Sequence, residues 1–390
     1  MSGAAGHEVV FTFSYETWDD AVRRGMMRPP DRLASALIAD PQVRDVVIAN
    51  PYRWWPGVAA RRILGTGAEF PDVAGRRLLQ PWRVRDRRDP VDLEALEARY
   101  RAYGSALARA SRRAGHTRPV LLTTHPLVAG FGRTDWATRT VYFGRDDWTS
   151  FPGRAPHWPA YREAYRRIAL SGMPVAAVSA EIVERIAPRG PGVVVPNGVE
   201  VAEWVGSAPT APAWFDAIPG PRLVYVGTID DRLDAAGVAA LARARPDVSI
   251  VLLGHVAAPD HIAPVSGLPN VVVHPAVGRA ELVAVLRNCD AALVAHRVTP
   301  LTEAMSPLKA YEYLAGGAPV LSVDLPPMRG IDERVLLAPS VADFVDAVDD
   351  ALALGRADEG ERMRFVAENS WESRHRAVFD LLYGRVNVSG

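Results

Sequence analysis

The stretch SPLKAYEYLAGGAPVLS, residues 306–322, contains the only lysine of a chain that otherwise uses 44 arginines for its positive charges. Ser306 and Pro307 are typical of a helix start, where serine caps free backbone N–H groups and proline fits the first helical position. The predicted helix begins beside Lys309 and ends at the Gly-Gly pair. Its N-terminus would expose backbone donors and the positive end of the helix dipole, which favour an anion.

Lys309 and Glu312 are three residues apart, so the predicted helix places them one turn apart on the same side. Lysine supplies a compact charge with three donors for a phosphate group, and a glutamate accepts hydrogen bonds from sugar hydroxyls. This pairing would suit a sugar joined to a nucleoside diphosphate. A surface Lys–Glu ion pair has the same spacing and is the first alternative, and a Schiff-base enzyme built on Lys309 is the second.

Several common sites are missing from the sequence. Lys309 follows Ser-Pro-Leu instead of the Gly-rich turn of a phosphate loop, and no G-x-G-x-x-G motif follows the first predicted strand. No Cys and His cluster has metal-ligand spacing and no D-x-D pair ends a strand, so we predict neither a metal ion nor another cofactor. The single cysteine, Cys289, rules out an internal disulfide and is predicted to be buried.

Short runs rich in valine, leucine and isoleucine must position these side chains, since they alternate with helical patterns along the chain. Examples are EVVFTFSY, DVVIANPY and PVLLTTHP in the first half, and RLVYVGTI, VSIVLLGHV and AALVAHRV in the second. Continuous apolar runs indicate buried parallel strands between layers of helices, so we predict an α/β fold. Ligands of such sheets bind beyond the carboxyl ends of the strands.

We predict two Rossmann-like domains that face each other across a deep cleft. The first spans residues 1–204, a linker rich in proline, alanine and glycine spans 205–221, and the second domain spans 222–372. The segment 373–390 is predicted to be a C-terminal helix that leaves the second domain and crosses back to the first.

The charge is unevenly distributed, although the net charge is zero. Residues 1–200 carry 29 Arg against 21 Asp and Glu, a formal +8, and residues 201–390 carry the balancing −8. A basic first domain would suit an anionic acceptor or an anionic membrane surface; attraction between the halves, or chance, would give the same pattern. No signal-peptide pattern opens the sequence. We predict a cytoplasmic protein, peripheral at the inner membrane face if its acceptor is lipid-linked.

The second half resembles the GT-B glycosyltransferases of family 4, which are retaining enzymes that use nucleotide sugars. SPLK followed by YEYLAGGAPVLS is similar to the family's donor-site helix, and LVYVGTIDDRLD to the first strand and loop of its donor domain. VLLGHV, LPNVVVHPAVGRAELVAVLRNCDAALVAHR and NSWESR follow in the family's order. The resemblance covers about residues 170–375 and is closest to the teichuronic-acid biosynthesis type.

The resemblance implies roles for individual residues. Glu312 matches the second Glu of the family's Glu–seven residues–Glu motif and would bind the nucleotide ribose, while the first Glu falls at Ala304, next to Glu303. Arg232 matches a basic residue that contacts the diphosphate, and Lys309 would supply the charge of a second basic residue. The other donor-side residues are Gly227, Gly254, Ser306 and Leu308.

The acceptor side is predicted from fewer residues. His125, in LLTTHP, resembles the family's acceptor-domain histidine at a strand end near the reacting sugar, with a structural role as the alternative. Trp54 and Trp55 follow the strand DVVIAN, and together with Trp18 they are acceptor-side candidates. Aromatic rings at that edge suit a sugar face, a lipid or an aglycone, and core packing is the alternative.

These observations predict a retaining, metal-independent glycosyltransferase that uses a UDP or GDP sugar. Arg232, Lys309 and the helix N-terminus would stabilise the charge that develops on the leaving diphosphate. The acceptor would be a hydroxyl of a cell-surface polysaccharide or glycolipid, and no nucleic-acid partner is expected. The alternatives are tailoring of a small natural product, a nucleotide-sugar 2-epimerase on the same fold, and a non-catalytic sugar-binding protein.

Overall fold

A computed structural model describes residues 6–57, 59, 67–84 and 86–385 of the chain. The chain divides into two compact units. The first runs from the N-terminus to Pro196 and includes the residues from His375 onward, and the second runs from Asn197 to Arg374. Each unit has its own parallel sheet, which confirms the prediction from the alternating apolar runs and helical patterns.

The strands of the first unit are β1 (His7–Thr12), β2 (Val43–Ala49), β3 (Arg53–Trp54), β4 (Arg76–Leu79), β5 (Trp82–Arg83), β6 (Pro119–Thr123), β7 (Arg139–Gly144), β8 (Val175–Ala177) and β9 (Gly192–Val194). The main sheet has the order β4-β2-β1-β6-β7-β8-β9, and β3 pairs with β5. Val9 on β1 lies between Val46 and Val120 on its two neighbours. The strand order reverses between β1 and β6, where open α/β sheets bind their ligands.

The helices of the first unit follow from apolar spacing and capping. In the helix Leu93–Arg113, Leu96, Tyr100, Tyr103 and Leu107 recur every three or four residues and are buried. Asp92 caps the helix by accepting a hydrogen bond from the Ala95 backbone N–H. The other helices among the described residues 6–196 are Trp18–Arg23, Pro29–Ala39, Pro126–Phe131, Trp158–Ser171 and Ala180–Ile186, with a 3₁₀ turn at Pro152–His157.

The strands of the second unit are β10 (Arg222–Val226), β11 (Ser249–Leu253), β12 (Val271–His274), β13 (Ala291–Val294), β14 (Val320–Val323) and β15 (Val335–Ala338). Their order in the sheet is β12-β11-β10-β13-β14-β15, so the strand order reverses between β10 and β13. The helices are Val201–Trp204, Ala213–Asp216, Ala235–Ala244, Arg279–Leu286, Pro300–Ala304, Leu308–Gly316, Phe344–Leu354 and Glu359–Glu368, with 3₁₀ turns at Pro259–His261, Ala263–Val265 and Pro326–Met328. Cys289 is buried in the core of this unit, as predicted.

The stretch 205–221, which we predicted to be a linker, lies within the second unit. Trp204 and Phe215 are completely buried in the same apolar core as Val224 of β10. Residues 197–204, which we predicted to lie in the first domain, also belong to the second unit. The proline and alanine content of this stretch is typical of a linker. A few large apolar residues nevertheless anchor it in the core.

The C-terminal helix Trp371–Tyr383 starts in the second unit, where the Trp371 backbone N–H donates to the Val199 carbonyl at 3.0 Å. From His375 onward its residues belong to the first unit. There the Tyr383 ring stacks on His7 with ring centroids 3.7 Å apart, and its hydroxyl donates to Asp40 Oδ2 at 3.1 Å. Within the described part of the chain, no helix combines the length and the apolar character that crossing a membrane requires.

Candidate functional site

Two glycines follow adjacent strands of the second unit and bring their loops very close together. Gly227 follows β10 with φ +140°, and Gly254 follows β11 with φ +155°, backbone conformations that L side chains rarely adopt. A Cβ on Gly254 would lie 1.9 Å from the Gly227 carbonyl oxygen, so only glycine fits there. A Cβ on Gly227 would lie 3.0 Å from Lys309 Nζ, so this glycine leaves room for the lysine.

The helix that carries Lys309 begins one residue later than the sequence predicted. It spans Leu308–Gly316, with Pro307 at the N-cap position and no side-chain cap. Ser306 does not cap it, because its hydroxyl accepts a hydrogen bond from the Asn197 backbone N–H at 3.1 Å. The predicted end is confirmed, since Gly317 adopts a left-handed φ of +88°. The backbone N–H groups of Leu308 and Lys309, in the first turn, lack partners within the helix, whereas the Ala310 N–H donates to the Pro307 carbonyl at 3.0 Å.

Lys309 lies among groups from three other segments. Its Nζ is 3.1 Å from His296 Nε2 and 3.8 Å from the centre of the Tyr225 ring. Burial, followed by the nearby Arg232 guanidinium, lowers the pKa of Lys309 to about 7, against the opposing effects of Asp230 and Glu312. A lysine with this pKa gains or loses its proton close to neutral pH, unlike a lysine in water.

His296 was missed by the sequence analysis, although it lies two residues beyond the end of β13. His296 is only 2% exposed, and its Nδ1 has no hydrogen-bond partner within the described residues. Burial, then the charges of Lys309 and Arg232, hold the pKa of His296 well below its usual value, so the ring is neutral. The sequence could have indicated His296, because AALVAH places a histidine just after a predicted strand, as LLTTHP does for His125.

Arg232 lies on the loop after β10, as the resemblance implied, but it already has a partner. Its Nη2 donates to Asp230 Oδ2 at 2.6 Å, and its Nε donates to Oδ1 at 3.0 Å. Burial alone would raise the pKa of Asp230, but the hydrogen bond and charge of Arg232 lower it. The Arg297 backbone N–H donates to the Arg232 carbonyl at 2.8 Å, which ties this loop to the segment after β13.

Glu312 is buried on the same helix and forms an ion pair that the sequence did not reveal. Arg279 Nη1 donates to Glu312 Oε1, and Arg279 Nη2 lies 2.6 Å from Glu203 Oε2. Burial raises the pKa of Glu312, although Arg279 opposes the effect. No partner of Glu312 Oε2 is found among the described residues, so this oxygen can accept further hydrogen bonds. Arg279 is 33 residues from Glu312, a separation over which sequence spacing predicts no contact.

The position of the first motif Glu is occupied by a buried apolar residue. Ala304 is completely buried at the end of the helix Pro300–Ala304, and Glu303 beside it is partly exposed. The site of the second unit therefore brings together Gly227, Gly254, Arg232, Lys309 and Glu312 around the reversal of strand order between β10 and β13. Ser306 and Leu308 lie at the start of the Lys309 helix.

In the first unit, His125 caps the helix Pro126–Phe131 and is 1% exposed. Its Nδ1 accepts a hydrogen bond from the Leu127 backbone N–H at 3.2 Å, so the proton of the neutral ring lies on Nε2. Nε2 lies 2.9 Å from the Tyr100 hydroxyl, which donates to Asp89 Oδ2 at 3.1 Å. Burial lowers the pKa of His125 to about 3, with Asp89 opposing. Because both ring nitrogens are bonded inside the unit, the geometry favours the structural role; the predicted role beside the reacting sugar stays a prediction.

The three acceptor-side tryptophans lie in different environments. Trp18 is 5% exposed, its backbone N–H donates to Asn50 Oδ1 at 2.7 Å, and its indole N–H donates to the Glu69 carbonyl at 3.0 Å. It is therefore a core residue, and the core-packing alternative holds for it. Trp54 and Trp55 instead line a cavity of 860 Å³ together with Trp82. Trp55 is 46% exposed, so its ring is available to a ligand.

The described residues contain no group of three or more His, Cys, Asp or Glu side chains placed to hold a metal ion. The arrangement in the second unit instead offers cationic side chains, a helix N-terminus and a buried carboxylate. Such a site can bind an anionic group next to hydroxyl groups.

A comparison with protein families found a match within the second unit. Residues 220–353 match the family described as Glycosyl transferases group 1. No curated protein matches the sequence. The second unit therefore carries a glycosyltransferase domain, which confirms the predicted class of enzyme at the level of this domain.

Solved structures share the fold across nearly the whole chain. A glycosyltransferase from Rickettsia africae is 12% identical, with a TM-score of 0.67 over 99% of this chain and 100% of that one. Sucrose-phosphate synthase from Thermosynechococcus elongatus is 15% identical, with a TM-score of 0.64 over 97% and 98%. The α,α-trehalose 6-phosphate synthase from Burkholderia multivorans is 14% identical, with a TM-score of 0.66 over 97% and 99%. At these identities the likeness concerns the fold, and it confirms the predicted GT-B fold class.

Proposed function

We propose that this chain is a retaining, metal-independent glycosyltransferase that moves a sugar from a nucleoside-diphosphate sugar to a hydroxyl acceptor. The observation that carries the proposal is the cationic site at the strand-order reversal of the second unit. There Lys309, Arg232 and the helix N-terminus lie beside a buried carboxylate with an available oxygen. The match of residues 220–353 to group 1 glycosyl transferases supports the same reaction class.

The residues then have distinct tasks in the reaction. The bond between the sugar and the diphosphate breaks, and the charge that develops on the leaving diphosphate is stabilised by Lys309, Arg232 and the first-turn N–H groups. Glu312 Oε2 accepts hydrogen bonds from the nucleotide ribose. The acceptor hydroxyl forms the new bond on the face from which the diphosphate departs, so the anomeric configuration is retained. The proton of the acceptor hydroxyl passes to a leaving phosphate oxygen, so no protein carboxylate is needed as a nucleophile.

The finer assignment rests on motif resemblance. SPLK followed by YEYLAGG supports family 4 and the teichuronic-acid biosynthesis type. The trehalose 6-phosphate and sucrose-phosphate synthases that share the fold are, as their names say, enzymes that make phosphorylated disaccharides. By analogy we propose a UDP or GDP sugar as donor and a saccharide acceptor in cell-surface polysaccharide or glycolipid synthesis.

The function is tested first by finding the donor. We expect one or a few nucleoside-diphosphate sugars to raise the melting temperature of the protein in a thermal-shift screen. With that donor and candidate acceptors, transfer in excess EDTA should equal transfer without it, and the product should keep the donor's anomeric configuration. Loss of transfer in EDTA, with recovery on adding Mg²⁺ or Mn²⁺, would contradict metal independence. Conversion of the donor to another nucleotide sugar without acceptor would instead identify an epimerase.

A lipid-linked acceptor makes a separate prediction about membranes. If the basic first half serves such an acceptor, the protein should bind vesicles rich in anionic lipid, since each basic residue near the surface contributes about 1 kcal/mol. About 0.5 M salt should release it, because screening then acts over only a few ångströms. Vesicle co-sedimentation measures this, with neutral vesicles as the control. Equal partitioning to both vesicle types would favour a small soluble acceptor, for which the tryptophan-lined cavity of 860 Å³ has a suitable size.

A further inference from the structure

We propose that Lys309 and His296 act as one pair, in which His296 Nε2 positions the Lys309 amine, and a diphosphate group that enters the site favours uptake of a proton from solvent by the lysine. The proposal deepens the proposed function, since it concerns the same anion site. It assigns a role to His296, which neither the motifs nor the comparisons with known proteins assign.

The side chains of Lys309 and His296 are joined by a hydrogen bond. Lys309 Nζ and His296 Nε2 are 3.1 Å apart, so a single proton lies between them. Either a lysine ammonium donates to an unprotonated Nε2, or a neutral lysine amine accepts from a protonated Nε2. Both side chains cannot be charged at this distance in a buried site, because two positive charges would repel each other strongly.

The other ring nitrogen of His296, Nδ1, has no hydrogen-bond partner among the described residues. The histidine is 2% exposed, so this nitrogen is buried. A buried polar atom without a partner costs about 1–3 kcal/mol, so such an atom needs an explanation. Since Nδ1 is enclosed and has no partner, the bond between Nε2 and Lys309 Nζ is the one hydrogen bond that holds the ring among the described residues, so the two side chains act as a pair.

Charged groups of both signs surround Lys309. Arg232 comes from the loop after β10 and carries positive charge, while Asp230 on the same loop and Glu312 on the lysine's own helix carry negative charge. Tyr225 of β10 presents its ring face to Nζ, and His296 comes from the segment after β13. Asp230 is already held by Arg232, and Glu312 by Arg279. An incoming diphosphate would therefore be the strongest new negative charge that Lys309 meets.

The pH dependence follows from the lowered pKa of Lys309, about 7 in the empty site. Its positive charge is present below that pH and is lost as the pH rises through it. Because the diphosphate binds the charged form better, it must raise the pKa of Lys309 by linkage. The apparent dissociation constant of the donor should then increase up to about tenfold per pH unit above pH 7.

The single lysine makes the test direct. Protein labelled with [¹³C]lysine should give one side-chain Cε–Hε signal by NMR, which we would follow from about pH 5.5 to 10.5. We expect a midpoint near 7 in the empty protein, compared with about 10.4 for a lysine in water. UDP-glucose, GDP-mannose and inorganic pyrophosphate serve as probes, and at least one should raise the midpoint by more than one unit. An empty-site midpoint above about 9, or no displacement by any of the three, would overturn the proposal.

Two substitutions of His296 separate positioning from folding. His296→Gln keeps an acceptor near Nζ and should preserve most of the donor affinity and the pH profile. His296→Leu removes the acceptor, so the Lys309 midpoint should fall and kcat/KM should fall by about tenfold, with kcat affected more than donor affinity, as expected for loss of the lysine charge itself. His261→Gln, on the 3₁₀ turn Pro259–His261, is the matched control. Equal midpoints and kinetics in the Leu and Gln variants, at equal melting temperatures, would show that His296 only packs.

This test is distinguishable from that of the proposed function. Pyrophosphate that shifts the Lys309 signal in a protein with no transfer activity would support the pair and contradict the transferase. Transfer activity with a flat donor affinity between about pH 7 and 9 would do the reverse.

Discussion

Replacing Lys309 by alanine is expected to lower kcat/KM by about 10²–10³, the scale seen when one donor to a developing oxyanion is removed. The lysine lies at the start of its helix and 3.1 Å from His296, so the variant loses one of the two cationic side chains proposed to meet the diphosphate. Nucleotide affinity should change less than turnover, because the charge on the diphosphate grows as the bond breaks. Steady-state kinetics together with calorimetric titration of the nucleotide measure the two effects.

Arginine at this position should recover only part of the activity. Lys309 Nζ already lies 3.8 Å from the Tyr225 ring centre, and a Cβ on Gly227 would lie only 3.0 Å from Nζ. Because there is little space around Nζ, the larger planar guanidinium of an arginine would have to displace the bound donor. Arg329→Ala, which removes an exposed cation paired with Asp324 in the same unit, is the control and should leave the kinetics unchanged. Wild-type turnover in Lys309→Arg would show that the chain has no special need for its single lysine.

Replacing Glu312 by alanine is expected to weaken nucleotide binding by about 10- to 150-fold, which corresponds to the roughly 1.5–3 kcal/mol of a charge-assisted hydrogen bond. The buried carboxylate has one oxygen bound to Arg279 and the other available to the ribose. Glu312→Gln keeps the shape and loses the charge, so its effect should be intermediate. Calorimetry with the nucleoside diphosphate and with its sugar measures the loss.

The fold should survive the Glu312 substitution, because Arg279 keeps Glu203 as a partner. Glu359→Ala is a matched control, since it also removes an acidic partner of a buried arginine in the second unit, Arg362. It should lower the melting temperature without altering nucleotide affinity. Unchanged affinity in a folded Glu312→Ala variant would remove the ribose from the proposed mechanism.

Local patterns predicted the regular elements of this protein well. The runs LVYV and IVLL lie in β10 and β11, and the helix predicted after Ser306 and Pro307 is Leu308–Gly316. These successes share a cause: a buried parallel strand needs continuous apolar residues, and glycine commonly ends a helix. The information lies within a few residues of each position.

The parts that failed depend on contacts between distant segments. Ser306 has the residue type of a helix cap, but its hydroxyl bonds to Asn197, which is 109 residues away in sequence. Arg279 reaches Glu312 from another helix, and His296 meets Lys309 across 13 residues that include the helix Pro300–Ala304. Residue types, spacing and the family resemblance therefore indicated several side chains that the structure brings together, but not the partners of those side chains.

The position of Trp204 and Phe215 has a consequence for recombining this chain with related ones. A chimera that exchanged the first half at residue 221 would take both rings from one parent and the core that buries them from the other. Crossover points at Pro196 and at Arg374 would instead keep each core with its own anchors, and would keep Asn197 together with Ser306. A library that shuffles first units on a fixed second unit should therefore be cut at these two points.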